Sequence, residues 1–135
     1  MPIVSLALLL AACSTSGGAG STGDEPRTIS VSMTDELRFE PTAFTFGAGE
    51  TVRFEVTNDG ESAHEFLIGD EAAQAEFEEA MQGEMDHQTD AGVSLDPGQS
   101  DSFEYTFEEA GDLLAGCHEP GHYTGGMVAT ITVSD

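Results

Sequence analysis

Lysine is absent from this 135-residue chain, and its Lys+Arg total of 3 faces 26 Asp+Glu, a net charge of −23 with the four His neutral. Binding nucleic acid needs a basic face that displaces counterions, so that class is excluded, and unassisted binding to anionic lipid is disfavoured. A partner met by electrostatic steering is therefore cationic. Long apolar runs are as scarce as basic residues. The run from Ile3 to Ala12 is too short to span a bilayer and has the length of a signal-peptide hydrophobic region. Cysteine is scarce too, with Cys13 and Cys117 alone. Yet the chain is no disordered acidic polymer, because 39% of it is apolar and eight Phe supply a core. Its length allows one domain.

Leu10-Ala11-Ala12-Cys13 resembles the lipobox of bacterial and archaeal lipoproteins, in which cleavage leaves the Cys first and lipid is attached to its sulfur. Residues 1–12 are expected to be a lipoprotein signal peptide, although Met1-Pro2 carries no basic residue; an ordinary secretory signal with a chance Cys is the plainer alternative. Residues 13–26 are expected to be the lipidated Cys13 and a flexible Gly/Ser tether, and residues 27–135 the folded domain. These expectations make the domain extracytoplasmic, lipid-anchored to the outer face of the membrane, and monomeric. They also leave Cys117 as a lone thiol in a compartment where thiols pair or oxidise. A disulfide to Cys13 is disfavoured, since a Gly/Ser tether holds that Cys near nothing in particular. An inert buried thiol is another alternative, against which the neighbours of Cys117 argue.

From Arg27 onward apolar residues recur with period two: Ile29, Val31 and Met33; Phe44 and Phe46; Val52, Phe54 and Val56; His64, Phe66 and Ile68, with Glu65 pointing away; Phe103, Tyr105 and Phe107; Leu113, Ala115 and Cys117; Met127, Ala129, Ile131 and Val133. Such alternation describes half-buried strands. Turn residues separate them at Gly47-Ala-Gly49, Asn58-Asp-Gly60, Asp96-Pro-Gly98 and Gly111-Asp112. Seven or so short strands at this spacing predict an all-β Greek-key sandwich. Only Asp70 to Gln82 breaks the rhythm. Asp70 can cap a helix there, Ala73, Phe77 and Ala80/Met81 recur at helical spacing, and Gly83 offers a stop, predicting a short amphipathic helix across one end of the sandwich.

His64, Cys117 and Met127 each fall on the inward parity of their strands, and His122 lies in the loop between the last two. The loop reads Cys117-His-Glu-Pro-Gly-His122-Tyr-Thr-Gly-Gly-Met127, with His64 standing 53 positions before the Cys. Two imidazoles and a thiolate with a weak thioether are the donor set of a blue-copper centre, in which neither Cu(I) nor Cu(II) is strongly disfavoured. Pro120-Gly121 turns the loop back, and Gly125-Gly126 gives Met127 room to approach.

These residues resemble the cupredoxins, over residues 27–135. The C-x4-H-x4-M spacing is similar to that of rusticyanins, and the lipobox, tether and acidity to halocyanin-type anchored members. The resemblance implies a plastocyanin-like β-sandwich holding one copper ion, with His64, Cys117 and His122 as strong equatorial ligands and Met127 as the long axial one. It implies that electrons leave through the more exposed His122. Residue 65 is Glu where many members carry a small or amide side chain that pins the ligand loops, so the bonding around the ligands is left open.

The 70–92 segment is longer and more acidic than a compact member of the family requires. Its Met81, Met85 and His87 could hold a second copper ion, although no spacing rule is met, and Met residues packed on the sandwich are the simpler account. His118 has the wrong parity to reach the same ion and is expected to face solvent. Tyr105 and Tyr123 are expected to pack, and the runs at 76–79 and 108–109 to form a solvated face. Zinc is a poorer fit, since two His, one Cys and a distant thioether do not close a tetrahedral shell. A copper enzyme would need a further His-rich site, for which only His87 and His118 remain, on different segments. No catalytic residue is assigned. Two functions stay open: an electron carrier between extracytoplasmic or membrane redox proteins, and a protein that buffers or delivers copper.

Overall fold

The computed structural model describes residues 25–82 and 89–135. Among these described residues, nine strands and one helix follow in the order β1 (Arg27–Thr34), β2 (Arg38–Glu40), β3 (Ala43–Gly47), β4 (Glu50–Asn58), β5 (His64–Gly69), α1 (Glu71–Met81), β6 (Gly92–Leu95), β7 (Ser100–Phe107), β8 (Gly111–Gly116) and β9 (Val128–Ser134). One sheet has the order β2-β1-β4-β7 and the other β3-β9-β8-β5-β6. The pairs β1–β4 and β3–β9 are parallel and the rest antiparallel. This is the all-β sandwich that the alternation predicted, with the extra strands arising from short pieces at β2 and β6. The expected signal peptide, Cys13 and the tether up to residue 24 lie outside the described residues.

Alternation forces the two sheets together. Val52, Phe54 and Val56 of β4 are buried, while Glu55 between them is exposed. Phe rings from both sheets fill the gap: Phe46 stacks on Phe107 with centroids 4.4 Å apart, and Phe39 meets Phe66 edge-on at 5.2 Å. Aromatic pairs of this kind add to the apolar area that drives closure. Tyr105 packs on Phe107, as expected.

Helix α1 begins as the sequence indicated, with Asp70 Oδ1 accepting from the Ala73 N–H at 2.8 Å. Two expectations about it need correction. It lies against the outer face of β5 and β8 rather than across one end, for its closest approaches are at outward-facing positions: Ala73 meets Gly69, and Gln74 meets Gly116. Its most deeply buried residue is polar, Gln74, whereas Ala73, Phe77, Ala80 and Met81 are half-buried. The residue closing the helix is Gln82, and Gly83 falls outside the described residues.

Candidate metal centre

Three segments converge at one end of the sandwich. His64 opens β5, Cys117 follows β8, and His122 stands in the turns that join β8 to β9. Those turns are fixed by the backbone: the His122 N–H donates to Glu119 O at 2.9 Å, Gly125 to Gly121 O at 3.0 Å and Gly126 to Tyr123 O at 3.0 Å. Gly121 and Gly126 have φ of 83° and 101°, which a side chain would disfavour. Met127 is fully buried, donates its N–H to His122 O and accepts from the Cys117 N–H at 3.2 Å. The backbone thereby holds Met127 beside Cys117 and His122.

His64 Nδ1 and His122 Nδ1 are 3.2 Å apart, and Cys117 Sγ lies 3.9 Å from the first and 3.4 Å from the second. Among the described residues, these three form the metal-capable cluster of His, Cys and carboxylate donors. Metal–ligand bonds of about 2.0–2.3 Å leave neighbouring donors about 3–4 Å apart, so the triangle fits a single ion. Its chemistry fits copper, since the thiolate suits Cu(I) and imidazole suits either oxidation state.

The donors are held by groups that the sequence did not announce. Asp35, in the β1–β2 turn, accepts from the Glu61 and Ser62 N–H groups at 2.6 and 3.2 Å and sits 3.2 Å from His64 Nε2. Donation from Nε2 to Asp35 leaves the Nδ1 lone pair for the metal. The Glu61 N–H, above all, holds the Asp35 carboxyl below its ordinary range. A Cβ at Gly60 would fall 2.5 Å from Asp35 Oδ1, so the contact depends on that glycine. Asn58 braces the same loop, donating to Ser62 O and Leu95 O at 2.8 and 3.0 Å.

Glu65 answers the question of what pins the ligand loops: it points away from the core, as its parity required, but it is covered rather than open to solvent. It is 2% exposed; its N–H donates to Cys117 Sγ at 3.3 Å, and its Oε2 accepts from the His118 N–H at 3.2 Å. His118 is also misplaced by the sequence reading: it is 1% exposed, its ring stacks on Tyr123 at 4.5 Å, and it bonds to helix α1. It stays out of the donor triangle, as its parity required. Glu78, within the run expected to be solvated, is one of its partners at 2.7 Å, while Glu76 and Glu79 are exposed.

Burial pushes the Cys117 thiol up to about 11, against the smaller opposing effect of the Glu65 N–H. Burial, and then the neighbouring His64, push His122 below the ordinary histidine value. In the absence of metal the thiol keeps its proton at neutral pH and His122 is neutral. Of the suggested second cluster, Met81 is half-buried at the end of α1, and Met85 and His87 lie outside the described residues.

The family model for copper binding proteins of the plastocyanin/azurin family matches residues 27–134. The copper-resistant cuproprotein CopI of Rubrivivax gelatinosus is 34% identical over 119 residues, covering 87% of this chain and 72% of that one. CopI of Pseudomonas aeruginosa is 35% identical, covering 79% and 76%. Among solved structures, reduced auracyanin from Roseiflexus castenholzii superposes with a TM-score of 0.71 at 26% identity, covering 80% of this chain and 97% of that one. Auracyanin B gives 0.69 at 25%, covering 83% and 92%. The sandwich, the donor triangle and the family model converge on one copper ion, and the chain belongs to the plastocyanin/azurin family of copper binding proteins.

Proposed function

We propose that this chain is an exported, membrane-anchored electron carrier whose copper is held by His64, Cys117 and His122 with Met127 as the axial donor. The observation that carries the reading is the bracing of the donors: Asp35 holds His64, the Glu65 N–H holds Cys117 Sγ, and backbone turns hold His122. Copper at such a site supplies a one-electron couple between Cu(I) and Cu(II). Ligands fixed by the protein move little when that charge changes, which keeps the cost of transfer small. His122 is half-buried where His64 is fully buried, so its ring edge offers the shorter way out to a partner. The partner is an extracytoplasmic or membrane redox protein with a cationic face, given the charge of −23. Export and anchoring rest on the apolar run of residues 3–12 and on Cys13.

Copper handling is the second reading, favoured by the copper-resistance names of the CopI relatives. The metal itself separates the two. Cu(II) added to the purified domain is expected to give an intense blue thiolate-to-copper band that bleaches reversibly with ascorbate and is missing in Cys117→Ser. A colourless or irreversibly reduced complex would overturn electron carriage in favour of handling. Met127→Leu is expected to keep the colour and raise the potential; complete loss of copper in that variant would remove Met127 from the axial place.

A further inference from the structure

Helix α1 is tied to the ligand loop through the residue that follows the thiol. His118 Nε2 is 2.7 Å from Gln74 Oε1, and His118 Nδ1 is 2.7 Å from Glu78 Oε2. Gln74 is itself fixed, because its Nε2 donates to Leu67 O at 3.0 Å and Leu114 O at 3.1 Å, one carbonyl on β5 and one on β8. That donation leaves its Oε1 to accept from the imidazole. On the other side, Tyr123 stacks on the His118 ring with an interplanar angle of 20°, and Phe77 of α1 lies 5.8 Å away.

Both strands make room for this contact. A Cβ at Gly116 would fall 2.4 Å from Gln74 Oε1 and 2.8 Å from the Tyr123 ring, and one at Gly69 would fall 2.6 Å from the Ala73 Cβ. Glycine inside a strand weakens it and marks a close approach by another element. Two such positions under one helix, and a Gln–His–Glu chain above them whose Gln74 and His118 are buried, make α1 a built part of the centre rather than a decoration on the sheet.

We propose that α1 is a strap on the metal centre, and that Gln74, Glu78 and His118 are positioning residues that hold the Cys117–Met127 loop in its ligating shape. This rests on the copper site assigned above. The side chain of His118 carries the link: one covalent step from Cys117, it is fastened to a helix that is fastened to β5 and β8. Loosening the link frees Cys117 Sγ and His122 to drift from their places, which copper reports as altered thiolate bonding and faster escape.

The test compares copper-loaded wild type with Glu78→Ala, Glu78→Gln and His118→Asn. Glu78 lies at the partly exposed edge of the helix, so its replacement leaves the core intact. Glu78→Ala is expected to speed copper loss to a chelator about tenfold and to alter the intensity of the thiolate-to-copper band, with Glu78→Gln recovering most of both. His118→Asn should do at least as much, and adding Glu78→Ala to it should change nothing further, since both cut one link. Wild-type spectrum and release rate in Glu78→Ala, with only the melting temperature of the copper-free protein lowered, would reduce the strap to ordinary packing. Fully additive effects in the double variant would also overturn it. Wild type that binds no copper at all would instead refute the copper site on which the strap rests.

Discussion

Strands β4 and β5 face the same core from opposite sheets, yet they are built differently. In β4 the inward residues Val52, Phe54 and Val56 are buried, and the outward Arg53, Glu55 and Thr57 keep contact with water. In β5 all six residues from His64 to Gly69 are buried. Its outward positions, Glu65, Leu67 and Gly69, lie under the ligand loop and α1, which take up the Leu67 carbonyl, the Glu65 carboxylate and the space above Gly69. A strand covered on both sides marks where this sandwich acquires a third layer. That layer is the one that fixes the donors.

The contrast can be tested through stability, largest effect first. Phe54→Ala removes a ring packed against Phe44, Phe46, Phe66 and Phe103, and is expected to cost about 3–5 kcal/mol in urea unfolding. Leu67→Ala tests the covered face. Leu67 has the outward parity that in β4 belongs to Glu55, but it is 2% exposed, so its truncation is expected to cost about 2–5 kcal/mol. A loss for Leu67→Ala as small as that of a surface residue would erase the distinction between the two strands.

Burial at this end also predicts a pH dependence. The copper-free Cys117 thiol is raised to about 11 by burial, and copper takes the thiolate, so binding expels one proton. Affinity should therefore rise about tenfold per pH unit through pH 7 to 9, with one proton released per copper in unbuffered titration. His122, pushed below its ordinary value by burial, is neutral over that range and adds no slope; in more acidic solution its protonation should steepen the dependence. A slope that flattens near an ordinary thiol value of about 8.5 would mean that water reaches Cys117 and that the cover over the site is open.

The sequence disclosed β4 and concealed half of β5, for a physical reason. Alternation reports one buried face, and wherever both faces are buried it is silent about the second. The donors were legible because Cys117, His122 and Met127 share one short loop and His64 falls in phase on its strand. Their braces were not. Asp35, Glu65 and the pair Gln74 and Glu78 come from three separate segments, and each reads locally as a solvent-facing polar residue or part of a turn. The apolar spacing of Ala73, Phe77 and Ala80 masks Gln74, the residue that α1 buries most deeply. Gly69 and Gly116 were the available signal, since a glycine at an outward strand position implies that something packs there.

The smallest expected effect bounds the comparison from the other side. Glu55 stands outward on β4, exposed, on a domain whose net charge is −23. Replacing it with Gln removes one carboxylate from a surface rich in them and disturbs no buried contact. The change should stay within about 0.5 kcal/mol. Its sign should be stabilising at low salt, because self-repulsion in the compact state falls, and the gain should fade as added salt shortens the screening length to about 10 Å at 0.1 M and below. The Leu67→Ala loss comes from lost packing and should persist unchanged across the same salt series. If instead Glu55→Gln costs several kcal/mol, or its effect ignores salt, then the outer face of β4 is covered as well, and the third layer is no longer special to the copper end of the molecule.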